Sequence, residues 1–114
     1  MAECIFCKII KKEIPTKILY EDEELLAFPD IAPQAPIHIL IVPKKHIANN
    51  LVLTEKDLAL MPNVFKVINK LSQDLGIAQS GFRVVNNCLK DGGQAVDHMH
   101  FHLLGGRSMK WPPG

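Results

Sequence analysis

Apolar and polar positions change their period several times along this chain, and each change marks an element. Residues 4–12 (CIFCKIIKK) place Ile5, Ile9 and Ile10 on one side of a short helix that Pro15 prevents from continuing. Lys17 to Glu21 and Leu25 to Phe28 read as short strands joined by the acidic turn Asp22-Glu23-Glu24. Residues 29–36 hold three prolines, which exclude helix and predict an extended, shaped loop. Ile37 to Val42 is a β-branched run broken by one histidine, His38, as expected of a central strand. Thr54 to Asp57 has a capping-box pattern with Asp in the usual Glu place. From there to Gly76, Leu58, Met61, Val64, Phe65, Ile68, Leu71 and Leu75 trace one helical face. Pro62 falls inside that run, where a proline costs about 3 kcal/mol unless the helix bends or breaks. A kink or two abutting helices is therefore expected. Phe82 to Asn87 and Val96 to Leu104 complete the strands. The order predicts an α+β domain: an antiparallel five-stranded sheet, one long helix interrupted at Pro62 and a short N-terminal helix.

Composition narrows the function. With 114 residues and 47% hydrophobic content, one globular domain over 1–114 is expected. The formal net charge is +1 and no basic block occurs, so nothing marks the chain for nucleic acid or an anionic membrane. No apolar run approaches the ~20 residues of a membrane span. Met1-Ala2-Glu3-Cys4 lacks the charged and apolar regions of a signal peptide, so a cytoplasmic protein is expected. Three cysteines, at 4, 7 and 88, favour metal or free thiol over a disulfide framework in a reducing compartment. Cys88 reads as a free, partly buried thiol.

Three of the five histidines fall in His98-Met99-His100-Phe101-His102. In a strand they share one face, with Met99, Phe101 and Leu103 turned to the core. Such a face admits three readings: satisfied core histidines, a metal site, or a phosphate site with a histidine nucleophile. Asp91-Gly92-Gly93-Gln94 precedes it and Gly105-Gly106-Arg107 follows. Paired glycines let backbone amides approach an oxyanion, which favours phosphoryl- or acyl-type transfer over a bare metal centre. Cys4-x-x-Cys7 at a helix start can present both sulfurs on one side, as a redox pair or as metal ligands. No thioredoxin-like βαβ context surrounds it.

His98-Met99-His100-Phe101-His102-Leu103-Leu104 resembles the His-φ-His-φ-His-φ-φ signature of the histidine-triad family. IFCKIIKKEIP, FPDIAPQAPIH, VPKKHI, DGGQAVDHMHFHLLGG and the terminal WPPG look like its Hint branch, so the resemblance covers nearly the whole chain. It implies a purine nucleoside phosphoramidase that cleaves an AMP–amine or GMP–amine P–N bond without an organic cofactor. It also implies a homodimer joined edge to edge. By the same resemblance His100 is the nucleophile, His102 its partner at the phosphate or leaving group, and His38 the residue that orients that neighbourhood. Asp30 accepts the ribose hydroxyls, and on local grounds also reads as a turn cap before Pro33. Ile5, Phe6, Ile9, Phe28 and Ile31 form the purine slot. The resemblance also places Asn87, Gly93 and Gln94 around the α-phosphate, counts Ala95 and Val96 among the substrate-binding positions, and has Trp111 reach toward the neighbouring subunit. The resemblance likewise implies a structural zinc ion held by Cys4, Cys7, His46 and His98. One departure stands out: Ala95 occupies a position commonly serine in the family, so a hydroxyl donor is missing. Two other readings remain: a dinucleoside polyphosphate hydrolase of the same family, and a nucleotide-binding regulatory protein with weak turnover. A metallohydrolase that uses His98, His100 and His102 as ligands carries the least weight.

Overall fold

The computed structural model describes residues 4–114. Met1–Glu3, part of the segment read against a signal peptide, lie outside the described residues. Strands β1 (Tyr20–Glu21), β2 (Leu25–Pro29), β3 (Ile37–Pro43), β4 (Phe82–Val85) and β5 (Phe101–Gly105) form one antiparallel sheet. Its order is β1-β2-β3-β5-β4, which puts β3 at the centre as expected. Phe28 sits opposite Leu40, and Leu40 opposite His102.

Helices cover both faces, so the architecture is three-layered. On one face Val64, Val67, Ile68 and Leu71 pack on Leu25, Ala27, Ile39, Ile41, Met99, Phe101 and Leu103. On the other, Phe6 and Ile9 of the N-terminal helix α1 (Ile5–Ile10) pack on Leu26, Phe28, Leu40 and Val42. Burial on both faces explains why residues 25–28 are continuously apolar rather than alternating.

The long helical run resolves into α2 (Glu55–Leu58) and α3 (Met61–Asp74). Pro62 falls in the first turn of α3, where no intrahelical N–H bond is lost. Thr54 and Asp57 form a reciprocal capping box, and the Lys45 ammonium meets the buried Asp57 carboxylate at 2.7 Å. No helix among the described residues is long and apolar enough to cross a membrane.

Several boundaries differ from the sequence expectation. Helix α1 stops at Ile10 rather than Lys12, which has left-handed φ 64°. β1 keeps only Tyr20–Glu21 of the expected 17–21. β4 ends at Val85 instead of Asn87, because the chain turns into a one-turn helix, α4 (Leu89–Gly92), closed by Gly93 at φ 79°. β5 begins at Phe101 rather than Val96, and the cause of that bears directly on the site.

Candidate active site

The ladder between β4 and β5 ends at Val85 opposite His102, and that between β3 and β5 at Ile41 opposite Phe101. Residues 98–100 therefore leave the sheet and need other partners for their backbone and rings. His98 Nε2 donates to the Pro43 carbonyl (2.8 Å) and the Met99 amide to the Ile47 carbonyl (2.6 Å). Asn86 Nδ2 donates to the His100 carbonyl (3.0 Å). The alternation of side chains survives without the strand. His98 and His100 both meet the Phe6 ring edge-on (5.8 and 5.1 Å), whereas Met99 and Phe101 enter the core beneath α3.

Hydrogen bonding fixes where the imidazole protons lie. The Gln34 amide donates to His38 Nδ1 (3.0 Å), so neutral His38 carries its proton on Nε2. That nitrogen faces His102 Nδ1 at 2.9 Å. His102 Nδ1 is then an acceptor, and its own proton sits on Nε2. His100 Nδ1 lies 2.7 Å from the His98 carbonyl, which can only accept, so His100 Nε2 keeps the lone pair. Burial lowers the basicity of His102, and the neighbouring His100 and His38 add to this, taking its pKa to about 4. Burial likewise lowers that of His38 against the opposing pull of Asp30. His38 is thus neutral near pH 7, and its 3.5 Å approach to Asp30 Oδ2 is a polar contact rather than an ion pair.

Beside these rings lies a cavity of ≈ 330 Å³, within the ~300–1,000 Å³ usual for small-ligand sites. Ile5, Phe6, Ile9, Phe28, Asp30, Ile31, Ala95, Val96, His100 and His102 line it, all of them expected from the sequence. Ile31 stands at its rim, 95% exposed. Asp30 has both of its anticipated parts: Oδ1 accepts from the Ala32 amide (2.8 Å) to cap the turn, while Oδ2 faces His38. His38 lies behind the lining and acts through His102 rather than beside His100.

Other expected residues sit elsewhere. Asn87, Gly93, Gln94 and Trp111 do not line the cavity. The Gln94 side chain is fully committed: Nε2 donates to the Ala48 and Val96 carbonyls and Oε1 accepts from the Leu89 amide. Trp111 is 82% exposed. Conversely Ile14, Pro15, Thr16, Pro29 and Leu40 line the cavity without having been anticipated. Leu40 was readable, since period-two alternation on β3 puts it on the face of His38. Asn86, not Asn87, holds the nucleophile candidate's backbone.

A second cluster joins three distant parts of the chain: the start of α1, the loop after β3 and the segment before β5. Cys4 Sγ, Cys7 Sγ, His46 Nδ1 and His98 Nδ1 stand at six mutual distances of 3.0, 3.6, 3.3, 3.2, 3.6 and 3.2 Å. Those are the edges of a small tetrahedron: the N···N and S···N edges are close to what Zn–S bonds of ~2.3 Å and Zn–N bonds of ~2.0 Å span, while the S···S edge is shorter than the ~3.8 Å such bonds would give. Because His98 Nε2 donates to Pro43, its Nδ1 lone pair points into the cluster, as a ligand's must. Asp30, His38 and His102 also converge. There, however, the hydrogen bond from Gln34 keeps a proton on His38 Nε2, so that ring offers no lone pair inward. The two clusters thus differ: one brings together four N and S atoms of the types that ligate zinc, and the other holds a proton between two imidazoles.

The family model described as HIT domain matches residues 11–109. A HIT-like protein of Synechococcus elongatus is 49% identical over 112 residues, 98% of this chain and 97% of that one. Among solved structures, a HIT family hydrolase from Legionella pneumophila is 50% identical with TM-score 0.95, covering 98% of this chain and 100% of that chain. A histidine triad protein from Clostridium difficile is 46% identical with TM-score 0.91, covering 96% and 97%.

Proposed function

The chain belongs to the HIT domain family, with the fold of its hydrolases, and from that premise we propose that it hydrolyses purine nucleoside 5′-phosphoramidates through a nucleotidyl-histidine on His100. One observation carries the reading: His100 lines the cavity with its Nδ1 committed to the His98 carbonyl, which leaves Nε2 as a nucleophile needing no deprotonation. In the first displacement the Nε2 lone pair forms a bond to phosphorus and the P–N bond to the amine breaks. In the second, water attacks phosphorus and the P–Nε2 bond breaks, releasing the monophosphate and restoring the ring.

His102 Nε2–H serves as a donor to a phosphoryl oxygen as charge develops. A neutral imidazole is too weak an acid to protonate the leaving amine, so solvent supplies that proton. His38 holds His102 in the donor tautomer. The purine lies between Ile5, Phe6, Ile9 and Phe28, and the Asp30 carboxylate accepts ribose hydroxyls. Zinc fits the Cys4–Cys7–His46–His98 set, whose donor types and spacing close a four-ligand site. There it supplies structural linkage between α1 and the triad segment, and its thiolates suit a reducing cytoplasm. A homodimer accords with the edge strand β4, where Phe82 is 37% exposed, and with the exposed Trp111.

Ala95 favours one second reading, a nucleotide-binding protein with weak turnover, because its methyl group gives the cavity no donor. The test is release of a fluorescent amine from adenosine 5′-phosphoramidate by the native protein and by His100→Ala. Release by the native protein alone supports the proposal. No release by either, with AMP still bound, moves the assignment to the binding protein.

A further inference from the structure

The carbonyl of His100 begins a chain of side-chain amides that the displacements above do not use. Because the β4–β5 ladder stops at Val85 and His102, that carbonyl has no strand partner on the β4 side, and Asn86 Nδ2 takes the place of a backbone amide. A carbonyl can only accept, so the Asn86 amide has one permitted orientation, with Oδ1 turned away. Asn50 Nδ2 donates to that oxygen. Asn50 in turn has one permitted orientation, since turning it over would set two oxygens face to face. The consequence is visible: Asn50 Oδ1 is buried with no hydrogen-bond partner among the described residues. An unpaired buried acceptor disfavours folding. The loop that carries Asn50 is itself tied down. The Asn49 side chain accepts from the Leu51 amide (2.9 Å), and Gln94 Nε2 donates to the Ala48 carbonyl (2.7 Å).

We propose that Asn50 and Asn86 are positioning residues for the nucleophile: Asn50 locks the Asn86 amide, which fixes the His100 backbone and hence the line of approach of Nε2 to phosphorus. The proposal rests on the reading of His100 as nucleophile. It accounts for the unpaired oxygen as a local stability penalty retained for alignment of the site.

The test uses the full chain with Asn50→Ala and Asn86→Asp. Three quantities are measured: kcat and KM for the adenosine phosphoramidate, the thermal midpoint, and solvent exchange of the Asn86 side-chain amide protons by nuclear magnetic resonance. Asn50→Ala is expected to lower kcat by about 10- to 100-fold with KM within about twofold, the scale on which small misalignments act. Its thermal midpoint moves little, because the unpaired Asn50 oxygen is lost while the Asn86 oxygen is left without its donor, and Asn86 loses exchange protection. Asn86→Asp, which sets a carboxylate oxygen against the His100 carbonyl, loses more. An unchanged kcat in Asn50→Ala, or a loss that tracks a falling thermal midpoint, overturns the relay. Absence of turnover by the native protein instead overturns the phosphoramidase reading. The exchange measurement then decides the relay alone, with retained Asn86 protection in Asn50→Ala counting against it.

Discussion

Four ligand atoms from three chain segments make the thermal midpoint a direct reporter of zinc. The folded chain gathers Cys4, Cys7, His46 and His98 within 4.8 Å of one another, whereas the unfolded chain keeps only the two cysteines close. If zinc occupies the proposed site it favours the native state, and each tenfold rise in free zinc above its dissociation constant then adds about 1.4 kcal/mol. For 114 residues the unfolding entropy is about 0.24 kcal/mol/K, from about 2.1 cal/mol/K per residue. The midpoint should thus climb by about 6 °C for each tenfold step, less whatever the Cys4–Cys7 pair binds when unfolded. The assay is a melting series in zinc buffers that span several decades of free metal. His46→Ala is the control of choice, because His46 is exposed and its loss removes a ligand without opening a cavity. That variant keeps three of the four ligands, so its midpoint should begin to climb only at markedly higher free zinc than the native protein needs. A native midpoint independent of zinc, or a climb in His46→Ala that begins at the same free zinc as in the native protein, would refute the four-ligand site.

Asp30→Asn keeps the oxygen that caps the turn but replaces the second acceptor, so discrimination between ribose and 2′-deoxyribose amidates should fall by about 10- to 100-fold in kcat/KM. Equal discrimination in the variant would remove Asp30 from ribose recognition. His38→Phe frees the His102 tautomer and should lower kcat by about 10- to 100-fold, a fraction of what loss of a whole oxyanion donor costs. Native-like kcat there would disprove the tautomer-holding role of His38. Stability should also depend on pH through His102 and His38. Both are less basic folded than unfolded, so their contribution is complete above pH 6.5 and, for His102, is lost as pH falls toward about 4. Asp22, which burial alone would raise but which Asn63, Tyr20 and two backbone amides hold at about 2, loses its contribution only below pH 3.8. Urea midpoints that stay flat between pH 6.5 and about 4 would contradict the assignment.

The histidine face was legible because period-two alternation persists at His98 and His100 after the ladder has ended. The place of Ile5, Phe6 and Ile9 in the cavity lining was legible only through family likeness, since taken alone they read as ordinary helix core. What escaped the sequence is what irregular backbone decides. Residues 14–16 form a cavity wall with no periodic pattern to announce them. The departure of the chain from the sheet after Val85 depends on left-handed φ at Leu89 and Gly93, of which only the glycine gives a signal. That departure moves Asn86 onto the His100 carbonyl and leaves Asn87 outside the cavity lining. Gln94 shows the limit of residue type as a guide. Its amide suits a phosphate, yet all its hydrogen bonds shown here brace the loop.

The central claim is a covalent bond between phosphorus and one ring nitrogen. Rapid quench of the native protein into alkaline denaturant during turnover of adenosine phosphoramidate, with digestion and peptide mass spectrometry kept at alkaline pH because a P–N bond to imidazole is acid-labile, tests it directly. The account predicts a nucleotidyl mass gain on the peptide that carries residues 98–102, localised to His100 and absent from His100→Ala. Turnover with no adduct at any quench time, or an adduct localised to His102, would contradict it.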